Sequence, residues 1–266
     1  MRVREALEGA IPALRAAGCD TPELDAELLV ADTLGVDRAA LVADRELAVP
    51  PGSARLIGER VRRRLEREPV AYILGRKGFR RIELAVDRRV LVPRPETELL
   101  VEAALELPRG ARVHDLGTGS GAVALALLDE RPDLAVSASD ASLAAVEVAR
   151  ANAARLGLAL EVTAGRGLPP GTWDLVLANL PYVREDEWDG LQPEINRWEP
   201  RDALVSGPDG LEAIHELVAG APRGTRMALE HGPAQAAAVR ELLAGAATRR
   251  DLAGRERVTI GEVPQR

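Results

Sequence analysis

The segment Asp115-Leu116-Gly117-Thr118-Gly119-Ser120-Gly121 constrains the fold of this 266-residue chain more than any other. Three glycines at alternate positions permit positive φ and remove side chains where a ligand must approach the backbone. A helix that follows at once presents unpaired NH groups to an anionic end. Such a turn joins a strand to a helix, and the chain around it keeps that alternation. Strands are expected at 112–116, 135–139, 159–163, 175–178 and 226–229, with helices at 121–129, 142–156, 210–219 and 234–243. Strict alternation implies α/β architecture with a parallel sheet. A terminal pair near 249–252 and 257–260 is expected to add an antiparallel edge.

The first part of the chain reads differently. Leu24, Leu28, Leu29 and Ala31, then Leu56, Ile57, Val61 and Leu65, stand at helical spacing. Pro12, Pro22 and Pro50-Pro51 suit first turns or the loops before them, which predicts four or five helices in a small domain over 1–76. Residues 79–92 change to alternation, with Asp87-Arg88 as the expected turn, so 77–92 is read as a hairpin linker and 93–266 as a second, larger domain. No apolar run approaches the roughly 18 residues of a membrane span, and the start does not resemble a secretion signal. A soluble cytoplasmic protein with no membrane partner is expected. Cys19 is the only cysteine, which excludes an internal disulfide and a cysteine metal cluster.

A net charge of −7 argues against direct nucleic-acid binding. One local basic stretch stands out: Arg60, Arg62, Arg63, Arg64 and Arg67, then Arg76, Lys77, Arg80, Arg81, Arg88 and Arg89. It reads either as a solvated face or as a docking surface for an acidic or RNA-associated partner.

Asp140 closes the strand after the glycine turn, at about the 20-residue spacing that brings an acid to ribose hydroxyls. Gly117, Thr118, Gly119, Ser120, Gly121 and Asp140 therefore form a two-point signature for an adenosine-containing cofactor such as S-adenosylmethionine. A nicotinamide dinucleotide fits less well, because little chain remains for a second mononucleotide half. Downstream, Val176-Leu177-Ala178-Asn179-Leu180-Pro181-Tyr182 ends an apolar strand in residues suited to a planar NH2 group. An amide or adenine nitrogen is a poor nucleophile because its lone pair is delocalised. The Asn179 side-chain oxygen and the Leu180 carbonyl can each accept one N–H and leave that pair directed out of the plane. Pro181 holds Leu180 extended, and Tyr182 is expected to pack on the substrate group. Together the two motifs indicate methyl transfer to nitrogen, with no metal.

With Glu68-Pro69-Val70-Ala71-Tyr72-Ile73-Leu74-Gly75, Val90-Leu91-Val92-Pro93-Arg94-Pro95-Glu96-Thr97-Glu98 and both motifs, the chain resembles the HemK family of protein-(glutamine-N5) methyltransferases. The likeness continues through Glu199-Pro200, Asp209-Gly210-Leu211, Glu230, Gly232 and the segment from Asp251 to Val258. It implies a Rossmann-like class I S-adenosylmethionine-dependent methyltransferase sheet with a small N-terminal helical domain that grips the protein substrate. The implied reaction is methylation of the glutamine in the Gly-Gly-Gln motif of peptide-chain release factors. Carried across, the glycine turn, Asp140 and Asn179 hold the cofactor. Asn179, Leu180, Pro181 and Tyr182 hold the glutamine amide, and Arg94, Glu96, Thr97 and Glu98 line the mouth. Two positions depart from the family pattern: Leu180 replaces a proline, and Arg166 stands where relatives carry an acid near the adenine.

Two other readings stay open. Asn-Leu-Pro-Tyr is common in RNA adenine-N6 methyltransferases, and the two departures would also suit an inactive cofactor-binding adaptor. His114, His215 and His231 are dispersed and read as packing or surface residues. Trp188 and Trp198 flank a proline-containing loop after the second motif that is expected to act as a lid.

Overall fold

The computed structural model describes residues 1–265, which divide into two compact units: Met1–Gly75 with Gln192–Trp198, and Arg76–Leu191 with the described residues from Glu199 onward.

The first unit contains five helices from the N-terminal stretch: α1 (Val3–Ala16), α2 (Pro22–Leu34), α3 (Arg38–Ala43), α4 (Pro51–Leu65) and α5 (Val70–Leu74). Their apolar faces bury Val3, Leu7, Leu14, Val30, Leu41 and Ile57 around one core. Much of the arginine stretch is spent inside this unit. Arg60 pairs with Asp32, Arg63 with Glu68, and Arg64 with both Asp25 and Glu194, while Arg67 also reaches Glu194. Glu194 belongs to Gln192–Trp198, and the Trp198 indole N–H donates to the Glu66 carbonyl at 3.3 Å. The loop expected as a lid thus carries an anchored stretch within the helical unit.

The second unit opens with a hairpin, β1 (Arg76–Phe79) and β2 (Ile82–Ala85). Its turn falls at Arg80-Arg81 and not at Asp87-Arg88. Arg80 takes φ +49, a conformation local preference does not favour for arginine, and is held there by ion pairs to Glu130 and Glu102. Arg76, Arg81 and Arg89 likewise pair with Glu83, Asp129 and Asp87, so most of the basic stretch faces carboxylates of its own chain.

Beyond the hairpin lies a seven-stranded sheet made of β3 (Arg112–Leu116), β4 (Ala135–Asp140), β5 (Glu161–Ala164), β6 (Leu175–Ala178), β7 (Arg226–Glu230), β8 (Ala244–Arg250) and β9 (Glu256–Glu262). The strand order is β5-β4-β3-β6-β7-β9-β8. The first five strands in sequence are parallel, and β9 and β8 close one side antiparallel. Helices α6 (Glu98–Leu105), α7 (Ala122–Glu130), α8 (Leu143–Leu156), α10 (Glu212–Gly220) and α11 (Ala236–Leu242) accompany it; α9 (Pro193–Asn196) is the short helix of the anchored stretch. Parallel strands are buried on both faces, which is why Leu175, Val176, Leu177 and Ala178 form an unbroken apolar run. The chain order reverses between β3 and β6, and a ligand cleft in an open α/β sheet lies at the carboxyl ends of strands flanking such a reversal. Asn152 on α8 ties the cleft floor together: its amide donates to the carbonyls of Ala85 and Ser120 and accepts the Ala85 N–H.

Candidate active site

The glycine turn leaves β3 with Gly117, Gly119 and Gly121 at φ +75, +57 and +84. At Gly117 a Cβ would come 3.1 Å from the Leu180 side chain, and at Gly121 2.8 Å from Leu125. Both positions favour glycine for conformation, and a Cβ at either would also displace the end of a leucine side chain. The N–H groups of Gly117 and Thr118 donate to the Ser139 carbonyl, and Gly119 N–H donates to Asp140 Oδ2 at 2.9 Å. Asp140 Oδ1 accepts from Ser142 N–H. Asp115 is buried behind the turn; its Oδ2 accepts from the Thr118 hydroxyl at 2.6 Å and from Ala124 N–H, and burial lifts its carboxyl up to about 6.

β6 ends beside this turn. The Asn179 Nδ2 donates to the buried Thr97 hydroxyl at 3.1 Å. In this arrangement the amide nitrogen is engaged and Oδ1 is left as an acceptor. Among the described residues none donates to Asn179 Oδ1 or to the Leu180 carbonyl. The Leu180 side chain lies against Gly117, so the leucine that departs from the family pattern packs on the glycine turn.

A cavity of about 490 Å³ joins these parts. Its lining includes Gly117, Thr118, Gly119 and Ser120 of the glycine turn, Asp115, Asp140, Asn179, Leu180, Pro181, Arg94, Thr97 and Arg166. Arg94 is aimed by a buried carboxylate: its guanidinium donates to Glu199 Oε1 at 2.5 Å, and Glu199 Oε2 accepts from Val92 N–H. Burial raises the Glu199 carboxyl above its ordinary range, with Arg94 opposing.

Four expected site residues lie elsewhere. Gly121, at the start of α7, lies against Leu125 and Ala149 outside the cavity lining. Glu98 does not line the cavity; it accepts from Arg80 N–H, drawn there by the hairpin turn. Glu96 is also outside the lining and pairs with Arg257 at 3.6 Å. Tyr182 does not pack over the amide position: its hydroxyl donates to Glu230 Oε1 at 3.3 Å, and its carbonyl accepts from the Gln235 amide at 2.9 Å. Asn179 and Thr97 meet through a fold that the sequence spacing does not display. Glu199 and Glu230 were part of the family likeness, but nothing in the sequence assigned them partners.

The lining suits a nucleoside that carries cationic groups. Four carboxylate residues line the cavity, Asp115, Asp140, Asp202 and Glu216, a Cβ at Gly117 would crowd the Leu180 side chain, and Gly165 and Gly167 add no side chains to the wall. These residues fit S-adenosylmethionine.

Residues 5–75 match the family model described as PrmC N-terminal domain, and residues 95–192 that of the methyltransferase small domain. A release factor glutamine methyltransferase of Cereibacter sphaeroides is 41% identical over 277 residues, covering 99% of both chains. The protein of that name in Mycolicibacterium smegmatis is 43% identical over 243 residues, covering 86% of this chain and 84% of that one. Among solved structures, the hMettl16 catalytic domain in complex with the MAT2A 3'UTR hairpin 6 aligns over 66% of this chain and 74% of that one, with a TM-score of 0.51 and 15% identity. That likeness concerns the fold alone.

Proposed function

This chain belongs to the release factor glutamine methyltransferase family, and from that premise we propose that it methylates the side-chain nitrogen N5 of the glutamine in the Gly-Gly-Gln motif of peptide-chain release factors. The observation that carries the reading is the Asn179–Thr97 hydrogen bond at the rim of the glycine-turn cavity. It turns an acceptor oxygen toward the space where a planar NH2 group can be gripped.

S-adenosylmethionine is the cofactor, and when bound it supplies an electrophilic methyl group on a sulfonium. The glycine turn, Asp140, Asn179 and the buried Asp115 would hold it. Asn179 Oδ1 and the Leu180 carbonyl each accept one N–H of the substrate amide, which restricts rotation and directs the nitrogen lone pair out of the amide plane. The same two oxygens stabilise the positive charge that gathers on that nitrogen. Pro181 keeps the Leu180 carbonyl in place. No residue of the turn is a strong base, and none is required to ionise the amide. Alignment is the main contribution, and good orientation recovers about 7–11 kcal/mol of a bimolecular barrier.

Arg94, held by Glu199, serves the substrate at the mouth. The helical unit, Met1–Gly75 with Gln192–Trp198, acts as the substrate-recognition domain, and the second unit, which takes in the hairpin expected as a linker, as the catalytic domain. Among the described residues no helix is long and apolar enough to cross a membrane, and a cytoplasmic location follows from a substrate that works on ribosomes. The RNA adenine reading draws less support, since most of the arginine stretch is paired within the chain. The test is incubation of the purified protein with release factor and S-adenosylmethionine. A mass increase of one CH2 mapped to the Gly-Gly-Gln glutamine is expected, and its absence, or label passing to rRNA instead, would overturn the reading.

A further inference from the structure

Glu199 has almost no access to solvent: its side chain is 1% exposed, while that of its partner Arg94 is 32% exposed. Each of its oxygens has a donor of its own. Oε2 accepts from Val92 N–H at 3.2 Å, and Oε1 accepts from Arg94 Nη2 at 2.5 Å. The ion pair is therefore polarised, with the anion sealed behind and the cation at the cavity surface, where Arg94 belongs to the lining and Glu199 does not. Among the described residues no other group accepts from Arg94, so its remaining N–H donors are left for a ligand.

Holding the Val92 N–H does not require a charge. A neutral amide oxygen would satisfy it, without the desolvation cost that a buried carboxylate carries. The charge acts on Arg94. A guanidinium with a carboxylate fixed against it keeps its donors but presents little net charge, so its attraction for an anion falls while its capacity to donate to a neutral carbonyl remains. The rest of the wall agrees with this. Asp115, Asp140, Asp202 and Glu216 line the same cavity, and their charge disfavours an anionic guest.

We propose that Glu199 is a specificity-determining residue: by neutralising Arg94 it makes the cavity mouth a donor site for an uncharged main-chain carbonyl of the protein substrate and closes that site to anions such as the phosphates of a nucleic acid. The inference rests on the function proposed above. In a Gly-Gly-Gln segment the carbonyls that precede the glutamine belong to glycines, and no side chain shields them from a guanidinium. Arg94 touches the substrate, and Glu199 acts through Arg94 as a positioning residue.

The test uses the full chain with release factor and S-adenosylmethionine, and E199Q, R94K, R94A and R94A/E199Q variants. Glutamine offers one acceptor oxygen where Glu199 offers two, and no charge. For E199Q, KM for release factor should rise on the order of 10-fold with kcat little changed. R94K keeps the charge pair but lacks the planar fork, and its KM should rise by a similar factor. Adding E199Q to R94A should cost nothing further. A second readout needs neither release factor nor cofactor: inorganic phosphate is titrated against the protein and followed by phosphorus magnetic resonance. E199Q should bind phosphate on the order of 10-fold more tightly than wild type, and R94A/E199Q should lose that gain. An E199Q variant with wild-type KM, or with wild-type affinity for phosphate, overturns the inference. An R94K variant with wild-type KM overturns it as well, and that variant stands as the test if E199Q does not fold. If wild type leaves release factor unmethylated, the proposed function fails, while the phosphate titration still decides what the charge of Glu199 does.

Discussion

Gly210 lies under the carbonyl of Tyr182, so close that a Cβ atom at 210 would come 2.3 Å from that oxygen and 2.6 Å from Gln235 Nε2. Its φ of +74 is a second reason for glycine. The Gln235 amide bridges Tyr182 and Asp209 carbonyls at 2.9 and 3.1 Å and accepts from Gly232 N–H, so the chain leaving the Asn-Leu-Pro-Tyr turn is moulded on this glycine. Gly210→Ala should destabilise the fold by about 2 kcal/mol or more. A thermal unfolding midpoint equal to that of wild type would show that the turn yields without strain.

Asn179→Ala removes the acceptor that the Thr97 bond orients, while the glycine turn and Asp140 are left in place. We expect kcat to fall on the order of 10²-fold with S-adenosylmethionine still bound in a calorimetric titration. Unchanged turnover would refute the assigned role.

How far the sequence could be read depended on where the determining contacts lie. β3 and β6 have the bounds expected of them, because a doubly buried parallel strand is written locally as an apolar run between a turn and a motif. The hairpin turn was misplaced because Arg80 owes its left-handed backbone to Glu130 and Glu102 on distant helices, and no local pattern records that. β8 begins at Ala244 and not near 249, since small residues there carry no clear alternation and a register shift follows Ala244. Asn179 was legible as an acceptor from its own motif. Its dependence on Thr97, and the turning of Tyr182 toward Glu230, arise only where β6, β7 and the segment before α6 converge.

His114 is buried on β3, with its ring nitrogens bonded to the Ser137 and Ser139 hydroxyls at 2.9 and 2.8 Å. Burial lowers its pKa to about 4, so the folded state keeps it neutral where the unfolded chain would protonate it. Below an unfolded pKa of about 6.5 the unfolded state gains protons, and this contribution is lost as pH falls toward about 4, to a total of about 3 kcal/mol. The buried carboxyls of Asp115 and Glu230, whose pKa values are raised, act in the opposite direction over the same window. The difference between wild type and His114→Asn isolates the histidine. The stability advantage of wild type should shrink steadily from pH 6.5 to pH 4.5, and a constant gap in urea unfolding would mean that His114 does not titrate differently in the two states.

Arg64 is the keystone of the helical unit. Its side chain is 6% exposed, with Asp25 Oδ2 and Glu194 Oε1 each 2.7 Å away, and its Nη1 also donates to the Glu68 carbonyl. An ion pair so enclosed contributes little net stability against an apolar substitute, yet removing one partner strands the others in a medium that cannot solvate them. Arg64→Ala leaves two carboxylates facing a hole and should cost about 3–5 kcal/mol. Arg67 pairs with the same Glu194 at 2.6 Å and goes on compensating it, so the damage should fall mainly on Asp25. Adding Asp25→Asn to Arg64→Ala removes one stranded charge and should recover a measurable part of the loss. Chemical unfolding of the single and double variants decides the matter: if the double variant is less stable than Arg64→Ala, the cost lies in lost packing around the guanidinium and not in the uncompensated charges.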